Sequence, residues 1–196
     1  SAYANYPGFG NVAGDMWFNT NAPTNFEIGL AEPGLRTIMH EIGHTLGMSH
    51  PGNYNAAPDV ELTYAANAEY YQDSYEYTIM SYFGSSSTGA VRTSFAATPM
   101  AHDIAAMQSL YGVNTTTRTG DTVYGFNSNA GRAALDFTLN TQPVIAIWDA
   151  GGKDTLDFSG WSTASRIDLA TGASSDGGGQ THNVQIAFGT IIENAV

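Results

Sequence analysis

Residues 40–51, HEIGHTLGMSHP, contain three of the five histidines of this chain. On a helix, His40 and His44 are four residues apart and share one face, so both imidazoles can meet one metal ion while Glu41 lies beside them. Gly47 can end the helix in a left-handed conformation, which would turn the chain so that His50 becomes a third ligand. Three neutral nitrogens suit zinc in a catalytic site, because a fourth position remains for water. The competing interpretation is a solvated helix whose glutamate and histidines serve only solubility or salt bridging.

A second group of chemically useful residues lies in the later half of the chain. Asp149 and Asp154 flank the sequence AGGK, where the glycines allow backbone carbonyls to turn inward. Carboxylates and carbonyls are the oxygen ligands that calcium prefers. The spacing predicts a calcium loop, and the alternative is a turn with solvated aspartates.

The elements that must position these groups change in character along the chain. Apolar residues recur at helical spacing after Pro33 and again in HDIAAMQSLYG, residues 102–112, which predicts two helices. Between them, YQDSYEYTIMSYF, residues 71–83, is aromatic and β-branched and predicts a turn and a strand. After Tyr111 come short apolar runs separated by turn residues, namely PVIAIW, TLDF, RIDL and VQIAF, which predicts an all-β half. The boundary is expected at the polar stretch GVNTTTR, residues 112–118.

The spacing His40-Glu41-x-x-His44-x-x-Gly47-x-x-His50 resembles that of the metzincin zinc endopeptidases. These enzymes also have a methionine turn beneath the metal, and YTIMSYF supplies Met80 at the matching place. The resemblance further implies that Tyr82 is an additional zinc ligand. A methionine in an aromatic segment is more often ordinary core, so the position of Met80 after the zinc motif carries this prediction.

Within the metzincins the chain resembles the serralysin family of secreted bacterial metalloproteases. The resemblance extends along nearly the whole chain, in AYANYPG, GDMWFN, the zinc stretch ending in Pro51, DIAAMQSLYG, TRTGDTVYGFNSN, IWDAGGKDTLDFSG and GTIIENA. It implies an edge strand to which an extended substrate adds by backbone hydrogen bonds, and this role falls on Ala2, Tyr3, Ala4, Asn5 and Tyr6. The alternative is an ordinary terminal strand.

The same resemblance implies ligands for one or two calcium ions. The first ion would be held by Asp149 and Asp154 with the carbonyls of Arg118, Gly120, Thr122 and Gly151. A second ion would involve Gly152, Asp154 and Glu193. The family's usual threonine two residues before that glutamate is Ile191 here, so only a carbonyl could ligate at that position.

Composition excludes several partners. Six Lys and Arg stand against 18 Asp and Glu, a formal net charge of −12, which would repel nucleic acid and anionic membrane surfaces. The chain has no cysteine, so disulfides and thiolate metal sites are excluded. His102 and His182 lie outside the zinc motif and are predicted to be surface groups.

Together these observations predict an α+β protein with a metzincin catalytic fold, residues 1–112, followed by the start of a calcium-binding β-roll or β-sandwich domain, residues 113–196. Compared with the family, the amino-terminal part of the catalytic fold is missing, so either the chain is a fragment, or a separate chain supplies the missing sheet, or the sequence begins late. The expected function is that of a secreted, extracellular bacterial zinc endopeptidase acting on extended polypeptides, with Glu41 as general base, Tyr82 in support, one catalytic Zn²⁺ and structural Ca²⁺. The alternatives are an inactive, calcium-stapled module of a larger extracellular protein and another metzincin branch.

Overall fold

The computed structural model describes residues 2–57 and 59–196 of the chain. Its helices are α1 (Pro33–Thr45), α2 (Tyr64–Asn67) and α3 (Ala101–Tyr111). Short 3₁₀ turns lie at Gly10–Val12, Pro23–Phe26, Ser85–Thr88 and Ala133–Leu135. The strands are β1 (Ala2–Ala4), β2 (Met16–Phe18), β3 (Val123–Gly125), β4 (Ile145–Ile147), β5 (Thr155–Asp157), β6 (Ser174–Gly177), β7 (Gln180–Ile186) and β8 (Asn194–Ala195).

The first helix begins and ends where its sequence requires. Pro33 stands in the first turn, where its missing N–H costs nothing. At the other end Gly47 has φ +95°, and its amide donates to His44 while the Met48 amide donates to the Gly43 carbonyl. This is the double hydrogen bond of a Schellman motif, and it turns the chain back toward the helix. The predicted helix and its glycine stop are therefore confirmed.

The strands form three small sheets. In the first, β1 pairs antiparallel with β2, placing Ala2 opposite Phe18. In the second, β3, β5 and β8 run parallel in that order. In the third, β7 lies between a parallel β4 and an antiparallel β6. The later half is thus built mainly of short strands, as predicted, and RIDL contributes only an isolated bridge at Arg166.

One apolar core crosses the boundary between the helical and β halves. Its buried members from the β half include Tyr124, Phe137, Ile145 and Ile186, and Leu35 of α1 packs against them. A second cluster joins Met80 and the buried Met100 to Val144 of the β half. Hydrophobic burial therefore connects the helices to the sheets.

The segment 71–83 differs from its prediction, because the structure forms turns there and no strand. Its backbone groups bond within the turns, to α3 and to side chains instead of to a neighbouring strand. The Ile79 amide donates to Asp103 Oδ2 at 2.9 Å, and the Ile79 carbonyl faces His40. Aromatic and β-branched composition indicates burial here rather than an extended ladder.

The two histidines outside the zinc motif are also less exposed than predicted. His182 Nδ1 lies 2.8 Å from the buried carboxylate of Glu76, and the His102 ring packs 5.3 Å from Tyr77. Both residues are partly buried. Across the described residues we find no helix whose length and hydrophobicity would allow it to cross a bilayer.

Candidate metal centre

Three imidazoles converge at the end of α1. The Nε2 atom of His44 lies 3.1 Å from Nε2 of His40 and 3.1 Å from Nε2 of His50, and the remaining pair is 3.3 Å apart. For tetrahedral zinc with Zn–N bonds of about 2.0–2.1 Å, simple trigonometry gives ligand nitrogens about 3.3 Å apart. Within the described residues, this trio is the group of His, Asp or Glu side chains close enough to share an ion.

The backbone fixes which nitrogen of each ring carries the proton. His40 Nδ1 is 2.8 Å from the Ile79 carbonyl and His44 Nδ1 is 2.8 Å from the Met48 carbonyl. His50 Nδ1 is 2.9 Å from the Tyr54 carbonyl. A carbonyl oxygen can only accept, so each Nδ1 must donate its proton. Each neutral ring then presents an unprotonated Nε2 to the same point.

Three converging lone pairs cannot hydrogen-bond to one another, so the arrangement requires a cation or a proton. Burial lowers the pKa of His40 to about 4, although the hydrogen bond to the Ile79 carbonyl acts in the opposite direction. Burial also lowers the pKa of His44 and of His50. Protonation is therefore disfavoured at neutral pH, whereas a metal ion would use all three lone pairs. The residues present fit a divalent ion bound by nitrogen.

A cleft of about 500 Å³, the histidine cleft, opens beside this group and is lined by His40, Glu41 and Tyr82 together with Ala2, Thr24, Asn25, Arg36, Thr37, Ala56, Leu62, Tyr75 and Ser81. Glu41 is 4% exposed, and nothing in the described part of the chain donates to its Oε2 atom. Burial raises the pKa of Glu41 to about 7. A buried carboxylate oxygen without a partner is costly, so this position suits a water molecule or substrate group.

The Tyr82 ring lies against two of the histidines. Its centroid is 4.4 Å from that of His50 and 5.9 Å from that of His40. Burial raises the pKa of its hydroxyl, which therefore keeps its proton at neutral pH. Tyr82 can offer one hydrogen-bond donor within the cleft.

Met80, the predicted turn methionine, lies against the helix that carries His40 and His44. The residue is 2% exposed and is packed against α1. A Cβ placed on Gly43 would lie 2.6 Å from Met80 Sδ, so a larger residue at this position would require Met80 to move. Close packing therefore fixes the helix against the turn that carries Ile79 and its acceptor carbonyl.

The predicted substrate strand is only partly a strand. Ala2, Tyr3 and Ala4 form β1, and Ala2 lines the histidine cleft. Asn5 and Tyr6 follow outside the strand: the Asn5 amide donates to the Asp15 carbonyl, and the Tyr6 ring lies 5.2 Å from that of His44. Among the described residues β1 pairs only with β2, so its other edge has backbone groups available for pairing.

The predicted calcium residues lie together where two loops meet. The Thr122 amide donates to Asp154 Oδ1 at 2.8 Å, and the Thr155 amide donates to the Thr122 carbonyl. A Cβ on Gly152 would lie 2.6 Å from the Gly120 carbonyl oxygen, so these two backbones are in contact. Gly151 and Gly152 have φ of +144° and +142°, which favours glycine at both positions.

Three carboxylates, those of Asp149, Asp154 and Glu193, lie close together at this junction. Asp154 is fully buried, and its Oδ2 has no partner within residues 2–57 and 59–196. Its amide donates to Glu193 Oε2 at 2.7 Å. Burial raises the pKa of Asp154, and the charges of Asp149 and Glu193 act in the same direction. A cation would relieve this repulsion, so the donor set fits calcium.

Two of the predicted ligands already have protein partners. Asp149 Oδ2 accepts a hydrogen bond from the Tyr124 hydroxyl, and its Oδ1 accepts one from the Gly151 amide at 2.7 Å. The Arg118 side chain donates to the Tyr124 hydroxyl and to the Trp148 carbonyl, while its backbone has φ +51°. A cation here would share Asp149 with these donors.

Sequence reasoning missed one functional support, Asp103. It is 1% exposed, and it accepts hydrogen bonds from Thr78 Oγ1 at 2.5 Å, from the Ile79 amide and from the Met100 amide. It therefore connects α3 to the peptide that orients His40. An acidic residue in the first turn of a predicted helix was the available signal, but such a residue usually indicates only a cap.

The chain is similar in sequence to known proteins along its whole length. Residues 113–196 match the family model described as the C-terminal region of peptidase M10 serralysin. Serralysin C of Dickeya chrysanthemi is 50% identical over 197 aligned positions, which cover 100% of this chain and 41% of that protein. Over this length the chain belongs to the serralysin family.

Two other serralysins are similar to this chain over the same share of their length. Serralysin of Proteus mirabilis is 46% identical and serralysin of Photorhabdus sp. (strain Az29) is 45% identical, each over 100% of this chain and 41% of the relative. The chain thus spans about two fifths of the length of these serralysins, and the aligned region includes the three histidines.

Proposed function

We propose that this chain holds the catalytic centre of a secreted, zinc-dependent endopeptidase of metzincin fold. The observation that carries the proposal is the convergence of three unprotonated Nε2 atoms beside the unpartnered carboxylate of Glu41. Three histidines with an open fourth position are a donor set typical of catalytic zinc. Membership of the serralysin family supports the same activity.

His40, His44 and His50 would hold the ion. Bound zinc lowers the pKa of a water molecule toward about 7 and polarises a carbonyl. Glu41 would serve as general base, accepting a proton from the attacking water at its free Oε2 and passing it to the departing amine. The Tyr82 hydroxyl, as a further zinc ligand at rest, would donate to the developing oxyanion during the reaction.

Extended polypeptides are the proposed substrates. The free edge of β1 can add a substrate strand by backbone hydrogen bonds, and Ala2 brings that edge to the cleft. The exposed side chain of Tyr3 and the neighbouring Asn5 and Tyr6 would extend the contact. Backbone pairing would hold the scissile bond beside Glu41 without a strict sequence requirement.

The β half is proposed to bind calcium as a structural ion. Asp149 and Asp154 with the carbonyls of Arg118, Gly120, Thr122 and Gly151 would form the first site, and Gly152, Asp154 and Glu193 a second. The buried, unpartnered Oδ2 of Asp154 supports at least the first. Such ions suit an extracellular protein, where calcium is abundant. In this proposal residues 113–196 begin a β-roll or β-sandwich domain.

Metal content and casein hydrolysis, measured on the full-length protein with and without a zinc chelator, test the proposal. We expect about one zinc per molecule and proteolysis that the chelator abolishes and added zinc restores. Bound zinc without any peptide cleavage would instead favour an inactive, calcium-stapled module. Cleavage that persists after complete zinc removal would contradict the proposed mechanism.

A further inference from the structure

Within residues 2–57 and 59–196, the guanidinium of Arg36 has no polar partner. It lies one helical turn before His40 on α1, and none of the described residues accepts a hydrogen bond from it or forms an ion pair with it. Its Nε atom is buried. The chain contains 18 acidic residues, so the lack of a pairing carboxylate is notable. A guanidinium carries five donors, and desolvating them without acceptors is costly.

Two aromatic rings hold this guanidinium in place. Its central carbon lies 4.2 Å from the centroid of the Tyr75 ring and 5.4 Å from that of Phe95. Stacking of this kind fixes the plane of the group and leaves its N–H edges free. Arg36 also stands in the first turn of α1, where the helix dipole disfavours a cation, so helix formation does not explain its presence.

Arg36 borders two cavities. Arg36 and Tyr75 line the histidine cleft together with Glu41, and they also line an adjoining cavity of about 480 Å³. That second cavity is also lined by apolar residues, among them Ile79, Phe95, Ala96 and Val144. A side chain that enters it from the histidine cleft would pass the free donors of Arg36.

We infer that Arg36 forms a carboxylate-binding subsite at the junction of these two cavities, which selects peptides that carry Glu or Asp at one position near the scissile bond. The inference rests on the proposed peptidase function and specifies its substrate. A carboxylate can accept two parallel hydrogen bonds from one guanidinium, which an amide side chain cannot match.

Matched peptides that differ only in Glu or Gln, placed at one position at a time across the scissile bond, provide the test. In the full-length, zinc-loaded protein we expect kcat/KM to favour Glu by about 10-fold or more at one position, the discrimination expected of charge-assisted hydrogen bonds. Arg36→Gln should remove this preference and Arg36→Lys should reduce it. Arg132→Gln, which removes the same charge at an exposed residue of the β half, should keep it.

Peptide binding to a Glu41→Gln protein, measured by calorimetry, separates this inference from the proposed activity. One outcome is that the wild-type protein cleaves no peptide while the Glu peptide still binds the Glu41→Gln protein more tightly than the Gln peptide does, through Arg36. In that case the peptidase proposal fails and the subsite stands. If cleavage occurs with equal preference for Glu and Gln in the wild type, the subsite is refuted and the peptidase proposal stands. Loss of thermal stability in Arg36→Gln without any peptide preference in the wild type would show that Arg36 pairs with a carboxylate elsewhere in the protein, which also overturns the inference.

Discussion

At the scale of single residues, the backbone decides the chemistry of the histidine group. Each Nδ1 donates to a carbonyl, from Ile79, Met48 or Tyr54, and each Nε2 is therefore left as an acceptor. Fixed tautomers make the site ready for a metal before the metal arrives. The free Oε2 of Glu41 could then serve as the proton acceptor that the proposed mechanism needs.

Glu41→Gln should preserve zinc binding and remove activity. The amide keeps the size of the side chain but cannot accept a proton as a carboxylate does, and no zinc ligand changes. We expect turnover to fall by about 10²- to 10⁴-fold at full zinc occupancy, measured by casein hydrolysis beside metal analysis. Near-normal turnover in the zinc-loaded variant would exclude Glu41 as the base.

Tyr82→Phe should lower turnover more than zinc affinity. The change deletes one hydroxyl and keeps the ring that packs against His50. If the hydroxyl donates to the developing oxyanion, kcat should fall by roughly 10²-fold, with a smaller change in KM. Equal kcat for the two proteins would remove Tyr82 from the mechanism.

At the scale of elements, the metal centre depends on three segments held together. The Schellman turn at Gly47 returns His50 to α1, and Met80 packs beneath Gly43. Asp103, from the first turn of α3, holds the Ile79 peptide whose carbonyl accepts from His40. Helix α3 therefore helps to position a candidate ligand, although the converging group found among the described residues, His40, His44 and His50, includes none of its own residues.

Asp103→Ala should destabilise the fold and loosen zinc binding. Three buried donors, from Thr78, Ile79 and Met100, would lose their acceptor, and each unsatisfied group costs about 1–3 kcal/mol. We expect the free energy of unfolding to fall by roughly 3 kcal/mol or more, as measured by urea denaturation, together with weaker zinc retention against a chelator. Unchanged zinc retention would limit Asp103 to a purely structural role.

The stability difference between wild type and the isosteric Asp103→Asn variant should depend on pH. Burial raises the pKa of Asp103 from 3.8 to about 6, so the folded state binds its proton more tightly than the unfolded chain. The resulting stabilisation is fully present below pH 3.8 and is lost as the pH rises through 6. The stability advantage of wild type over Asp103→Asn, compared in the zinc-free proteins, should therefore shrink from pH 4.5 to pH 7. An advantage that grows over this interval would contradict the raised pKa.

At the scale of the whole molecule, packing and side-chain hydrogen bonds join the helical half to the β half. Gln185 of β7 accepts from the Ala101 amide at the start of α3 and donates to the Glu76 carbonyl. Val144 packs beside Met80 and Met100. Through these contacts, the order of the β half supports the metal centre. Calcium in the β half would then influence the whole chain.

Calcium removal should destabilise the protein while zinc stays bound at low temperature. An ion at Asp149 and Asp154 ties together loops about thirty residues apart and stabilises the folded state by mass action. A chelator selective for calcium should lower the thermal midpoint and increase proteolytic nicking between residues 113 and 155, and Asp154→Ala should do the same. Asp15→Ala, an exposed carboxylate in the helical half, serves as the control. A melting curve that does not respond to calcium would refute the site.

The sequence by itself determined the local features. Spacing predicted α1, its glycine stop and three histidines within reach of one ion, because helical periodicity and glycine conformation are local properties. The short apolar runs predicted β4, β5 and β7 for the same reason. Tertiary structure alone decided the rest: that residues 71–83 form turns, that Asp103 orients the peptide beside His40, and that Arg36 is left without an acceptor. Each depends on which distant atoms meet, such as an aspartate 24 positions after Ile79, and no local pattern encodes such a pairing.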